Sequence, residues 1–205
     1  MRNVIKRAVT ENPILVTGVG ICPIIFAGVS LRLGLFTSAL FLVCAVVSAI
    51  VCKLAGKNFP KFMRIVIIFA VNGIVLLILR QISVRVFTDL TDSLGVFLIL
   101  LSVNWLIFSL ASIAHRLSLK EAILLGLKTG GLFAVVMMIV SVLRQFIATG
   151  SILNLDIFHT GGIFIPAAAL PFAGFLILGL VAALANFISQ KLKTADENAE
   201  VAKHD

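Results

Sequence analysis

The sequence predicts an all-α integral membrane protein of six transmembrane helices, arranged as two inverted three-helix repeats with a broken first helix. Three observations lead there. Apolar residues fill 60% of the 205 positions and charged ones 13%, against about half and a quarter in a soluble domain, and the mean hydropathy is +1.17. That much apolar surface cannot be hidden in a water-soluble fold of this length, so lipid must be the solvent. The apolar residues also cluster in six runs, each close to the roughly 20 residues that a crossing helix needs. Finally, six spans divide into two triplets, and three spans per half necessarily invert the second half relative to the first.

The elements follow in order. Met1 to Asn12 carries Arg2, Lys6 and Arg7 ahead of an apolar stretch. This resembles a signal peptide, but no small-residue cleavage pattern follows, so the segment is expected to be retained. The first span runs from Pro13 to about Leu31 and is interrupted by Gly18, Gly20, Pro23 and Gly28. Within it, Val19-Gly20-Ile21-Cys22-Pro23 puts a proline directly after a thiol. Proline removes a donor and disturbs the preceding turn, so backbone groups there need partners other than lipid. The second span covers Leu33 to Ala55, and the third Phe62 to Leu79. The fourth covers Leu94 to Ala114 and bears a weaker mark, Ser102-Val103-Asn104-Trp105, without Gly or Pro. The fifth runs from Ala122 to Ala148, and the sixth from Ile163 to Ser189. The sixth contains Pro166 and Pro171, with Gly174 and Gly179 allowing close helix contact. Residues 1–190 thus form one membrane domain. Residues 191–205 are polar, cannot bury a core and are expected to be disordered.

Orientation follows from the Lys and Arg positions. With the N-terminus cytoplasmic, Arg2, Lys6, Arg7, Lys53, Lys57, Lys61, Arg64, Arg116, Lys120, Lys128, Lys191, Lys193 and Lys203 lie inside. Arg32, Arg80, Arg85 and Arg144 lie outside. Thirteen against four is a strong positive-inside bias. Both termini are therefore expected on the cytoplasmic side of a multi-pass protein of the inner cell membrane. The net charge of +8 reads as topology and contact with the lipid surface, not as nucleic-acid binding.

Few residues could carry chemistry. Cys22, in a broken membrane helix, suits a soft metal or an iron–sulfur cluster; the plainer alternative is a small buried apolar side chain. Cys44 and Cys52 are eight residues apart on one helix, about 12 Å in rise, too far for one metal ion, and read as core thiols. Asn104 either glues helices together or lines a site. Arg144 and Lys128 sit near span ends, where snorkelling is the default. His115 and His159 fall in predicted loops. There is no CxxC, no paired-carboxylate site and no phosphate loop, and the spans contain no Asp or Glu to serve a carboxylate proton relay.

Three stretches resemble the small six-helix membrane subunits of the Rnf and Nqr complexes, the D/E type in particular. Glu11-Asn12-Pro13-Ile14-Leu15-Val16 followed by Gly20-Ile21-Cys22-Pro23 is similar to that family's "NPxLV…LGxCP" opening. Arg144-Gln145-Phe146-Ile147-Ala148-Thr149-Gly150-Ser151-Ile152-Leu153 is similar to its "RELLGSGxLFG". Ile165-Pro166 through Ala173-Gly174-Phe175-Leu176-Ile177-Leu178-Gly179-Leu180 is similar to its "PGAFxxxGLL". The resemblance implies a [2Fe–2S] cluster held between two related, oppositely oriented subunits, each giving one Cys from its first span and one from its fourth. Cys22 matches the first ligand position and Asn104 the residue before the second. At the second, an "NCxxxGRAEAFA"-like motif, Trp105 stands in place of Cys, and Ser109, Leu110 and Ser112 replace Gly, Arg and Glu. Indole cannot replace a thiolate on iron, so the four-thiolate set is one ligand short per copy of this chain.

The resemblance implies a divergent membrane subunit of a redox-driven, ion-translocating complex, not a complete enzyme by itself. Its expected partners are membrane lipid, a related six-helix subunit and the other subunits of the complex. Two rivals stand beside it. Six spans in about 200 residues also suit the membrane-embedded substrate-capture subunits of vitamin importers, a small-solute transport role. Trp105 favours the other rival, a cofactor-free scaffold that kept the fold.

Overall fold

The computed structural model of the chain describes residues 20–55, 59–95, 97–149, 151–152, 155–156 and 166–201. The basic start, the first half of the first predicted span with its Glu11–Val16 stretch, Lys57, His159 and the opening of the sixth predicted span lie outside the described residues. In chain order the helices are α1 (Ile21–Ala27), α2 (Leu31–Ala55), α3 (Lys61–Val86), α4 (Thr88–Leu94), α5 (Phe97–Leu100), α6 (Trp105–Ile113), α7 (Leu119–Thr149) and α8 (Pro171–Val201). A 3₁₀ turn at Ala114–Arg116 follows α6, and another at Pro166–Ala169 precedes α8. A two-residue antiparallel ladder pairs Ser151 with Asp156 and Ile152 with Leu155.

Four stretches are long and apolar enough to cross a membrane: Leu31–Ala55, Lys61–Val86, Leu119–Thr149 and Pro171–Ile188. They coincide with the second, third, fifth and sixth predicted spans, with differences at the ends. Helix α3 continues seven residues beyond Leu79, because Arg80, Gln81 and Arg85 end an apolar run without breaking a helix. The sixth span starts at Pro171, not Ile163. Proline is pre-organised for the first turn of a helix, and Pro166 belongs to the preceding 3₁₀ turn. Helix α8 runs on to Val201, so residues 191–201 of the polar tail continue the helix. Among the described residues, the first and fourth predicted spans appear as short pieces, the seven residues of α1 and the α5–α6 pair.

Local signals set several starts. Ser118 and Glu121 form a reciprocal capping box on α7: the Glu121 carboxylate accepts from the Ser118 N–H and hydroxyl, each at 2.9 Å, and Ser118 Oγ accepts from the Glu121 N–H at 3.3 Å. Asn104 caps α6 through its side-chain oxygen, which accepts from the Leu106 N–H at 3.0 Å.

The centre of the molecule is the antiparallel pair α2 and α7, which make the most extensive helix–helix contact among the described residues. Lipid tails are as apolar as Leu, so burial alone does not drive helices together in a bilayer; close backbone approach does. Three glycines permit it. A Cβ at Gly126 would lie 2.9 Å from the Ala45 carbonyl oxygen, and one at Gly130 would lie 3.0 Å from Leu42 Cα. On the opposite helix, Gly34 packs on the Ser141 hydroxyl. Phe41 and Phe133 stack between these contacts with centroids 4.0 Å apart, both fully buried. Helices α3 and α8 pack on this centre and turn their Phe62, Val66, Ile74, Phe172, Leu176 and Leu180 outward. Gly174 contacts a neighbouring side chain, as the sequence predicts. Among the described residues, Gly179 meets nothing within 4 Å.

The crossing yields a test with internal controls. Gly126→Val and Gly130→Val should each lower the melting temperature of the detergent-solubilised chain, by the equivalent of about 1–3 kcal/mol of overpacking. Gly73→Ala and Gly131→Ala, where an added Cβ meets nothing, should leave it unchanged.

Candidate functional site

The start of α1 and the break that precedes α6 meet each other. The first lies at Gly20, which holds a left-handed conformation (φ 81°, ψ 23°) immediately before α1. L side chains avoid that region, and space excludes them as well. A Cβ on Gly20 would stand 2.7 Å from Asn104 Oδ1 and 3.1 Å from Leu106. The second is Leu101–Asn104, three turn residues and an extended Asn104 (φ −84°, ψ 135°) between α5 and α6. The fourth predicted span is therefore discontinuous, although no Gly or Pro marks it. Asn104 supplies the reason: its side chain satisfies the free N–H of Leu106, the second residue of α6, and so stabilises an extended residue there.

Around this meeting point lies a cavity of about 520 Å³ lined by Gly20, Ile21, Cys22, Pro23, Phe26, Leu100, Val103, Asn104 and Phe175. Its walls are apolar except for the Cys22 thiol and the Asn104 amide. Cys22 is exposed, whereas Asn104 is buried and its Nδ2 has no hydrogen-bond partner. The two residues singled out in the sequence thus share one cavity. The N-terminal ends of α1 and α6 both lie at it, so their free N–H groups give the site a partial positive character that suits an electron-rich group. Trp105 is the first residue of α6, directly after Asn104. Cys44 and Cys52 are fully buried on α2 and line no part of this cavity.

The largest correction concerns Arg144. Sequence position suggests a snorkelling side chain, yet Arg144 is fully buried. Its Nε donates to the Ala168 carbonyl at 2.8 Å, its Nη2 to the Leu170 carbonyl at 2.7 Å, and its Nη1 to the Ile25 carbonyl. One guanidinium therefore joins the end of α1 to the turn that leads into α8. Gly174 makes room for it, since a Cβ there would lie 3.0 Å from Nη1 and 3.2 Å from Ile25 Cγ2. The adjacent Gln145 accepts from the Leu31 N–H at 2.8 Å and so caps α2. Together the two side chains bracket the corner between α1 and α2. A planar fork that matches several carbonyls, not the charge alone, makes arginine fit here.

The remaining sequence-selected residues lie elsewhere. Lys128 is exposed. His115 is not in a solvated loop but in the 3₁₀ turn after α6, partly buried, where its main chain bonds Cys52. A buried pair escapes sequence reading: Asn72 on α3 donates to Ser48 Oγ on α2 at 2.7 Å, and Ser48 donates on to the Cys44 carbonyl. Asn72 sits in an otherwise apolar run and carries no local signal except being an amide inside a span.

A model of the family described as "Rnf-Nqr subunit, membrane protein" matches residues 1–182. The chain is 27% identical over 211 residues to the E subunit of the ion-translocating oxidoreductase complex of Shewanella amazonensis, covering 94% of this chain and 89% of the relative. It is 25% identical over 218 residues to the identically named protein of Aliivibrio fischeri strain MJ11, covering 98% and 96%. With the E subunit of the Na(+)-translocating ferredoxin:NAD(+) oxidoreductase complex of Acetobacterium woodii it shares 24% identity over 194 residues, covering 93% and 98%.

The thiols separate cleanly by environment. In the purified chain in mild detergent, maleimide should label Cys22, which is exposed, and leave Cys44 and Cys52, both at 0% exposure. The latter two should react only after denaturation in dodecyl sulfate. Mass mapping of the labelled peptides would check this.

Proposed function

The chain belongs to the Rnf-Nqr family of membrane subunits, and we propose that it serves as a divergent membrane subunit of an electron-transport, ion-translocating oxidoreductase complex. The observation that carries this reading is the meeting of the start of α1 with the break before α6, which sets Cys22 and Asn104 on one cavity. These are the positions at which the resemblance puts the family's redox site. The relatives' names, all of complex subunits, support a role among other subunits and not alone.

The residues of this chain do not fit an equal half of a four-thiolate [2Fe–2S] cluster. Among the described residues, only one thiol reaches the cavity. Position 105, beside Asn104 at the start of α6, carries an indole, which is no ligand for iron. No electron-transfer step is therefore assigned to this chain. It brings Cys22 to the site, supplies the cavity, and offers backbone donors at the starts of α1 and α6 that lipid cannot satisfy. A related subunit packed across Cys22 and Asn104 would satisfy them. Trp105 also favours a second reading, a scaffold that holds the complex together without any cluster of its own.

The same reading includes six crossings in two inverted halves in the inner membrane, with both termini cytoplasmic. In support, α5 and α6 together run along α3. They bring Phe108 under Lys61 (5.8 Å) and His115 to Cys52, so the pair acts as one crossing made of two half-helices. The Lys and Arg bias supports the orientation.

Purification in mild detergent with native partners, followed by iron analysis and electron paramagnetic resonance after reduction, tests the proposal. Other proteins of the complex should co-purify, iron should be substoichiometric, and Trp105→Cys should raise it. Stoichiometric iron with a normal four-thiolate resonance in the unmodified protein would mean that a second ligand lies elsewhere. Reporter fusions in the Lys57 loop and after Lys193 should both report cytoplasm, and a signal from the other side at either position would overturn the orientation.

A further inference from the structure

The geometry points to Arg144 as the positioning residue of the Cys22 cavity, with Gly174 as the gap that lets it act. The inference rests on the reading of that cavity as the working site and names what sets its shape. The cavity has two walls that the chain does not join locally. One is the short helix α1, which contributes Ile21, Cys22, Pro23 and Phe26; the other includes Phe175 on α8. Arg144, on α7, bonds both: Ile25 within α1, and Ala168 and Leu170 at the entry to α8. Its guanidinium is fully buried, so these bonds do not compete with water. A seven-residue helix cannot hold its own position. Arg144 fixes its end three residues from the thiol.

Loss of the guanidinium should free α1 locally while the α2–α7 centre stays packed. A merely structural role would instead loosen all three thiols together. Lysine keeps the charge but cannot reach carbonyls on two segments with one ammonium. Alanine at position 174 keeps Arg144 and crowds it from the side, since its Cβ would fall within 3.0 Å of Nη1.

The experiment is the rate of maleimide labelling at Cys22 in the full chain in mild detergent, with Cys44 and Cys52 as internal controls. Arg144→Gln should speed Cys22 labelling about tenfold, as expected when a charge-assisted hydrogen bond is lost, with Cys44 and Cys52 still protected. Arg144→Lys should fall between it and the parent, and Gly174→Ala should shift Cys22 in the same direction. A Cys22 rate in Arg144→Gln indistinguishable from the parent's, or all three thiols rising together, would overturn the inference. So would a parent chain whose Cys22 does not label at all. If Arg144→Gln fails to insert into the membrane, Gly174→Ala decides: an unchanged Cys22 rate there sinks the proposal. Failure of the functional reading is a separate result, namely Cys22→Ser leaving the activity of the assembled complex intact, and the labelling rates do not depend on it.

Discussion

In a bilayer every backbone N–H and C=O must find a partner inside the protein, because the hydrocarbon offers none. A continuous helix meets this demand by itself, whereas a helix that stops midway does not. The described part of this chain leaves such ends at Gly20, where α1 begins, and at Leu101–Asn104, between α5 and α6, and the groups around them have to be accommodated by neighbours. Asn104 caps its own helix. Gln145 takes the first N–H of α2, and Arg144 takes carbonyls from α1 and from the turn before α8. Two consecutive residues near the end of α7 thus hold the corner between α1 and α2 and tie it to the last helix.

That arrangement works only because α7 is itself fixed. Its glycines at 126 and 130 press on the backbone of α2, and Gly34 of α2 accepts Ser141 in return. These contacts set the register of the two long helices and so the height at which Arg144 meets Ile25. The site is therefore built outward from a rigid pair: small residues set the axis, a guanidinium and an amide reach from the axis to α1 and the start of α2, and the break before α6 is seated against Gly20. Coupling of this kind explains why a cavity made largely of short helical pieces has a defined shape.

Much of this is legible in the sequence, and the rest is hidden for identifiable reasons. The four long spans are readable because apolar runs of that length have one physical meaning in lipid. The start of α1 is readable from Gly20. The break before α6 leaves only a weak mark, since Asn104 breaks a helix by capping the next one and not by steric exclusion. Arg144 misleads because a basic residue near the end of an apolar run usually points to water. Only the three-dimensional path reveals that two foreign segments present their carbonyls to it. Asn72 and Ser48 are separated by 24 residues and bond across two helices, a pairing that no local pattern encodes.

The separation between scaffold and chemistry bears on how position 105 can hold tryptophan at all. The groups that shape the cavity are Gly20, the Asn104 amide, Arg144 and Gly174, and all act through backbone geometry or hydrogen bonds to main-chain atoms. None of these hydrogen bonds and close contacts depends on a thiol at position 105. The first residue of α6 can therefore differ without disturbing the cap, the clamp or the meeting of α1 with the start of α6. On the proposed reading, a non-ligand at this position is compatible with the fold because the groups that satisfy the backbone in lipid are not thiols. Changes at Arg144 or Asn104 would be a different matter, since each leaves main-chain groups unpaired where no water replaces the lost bond.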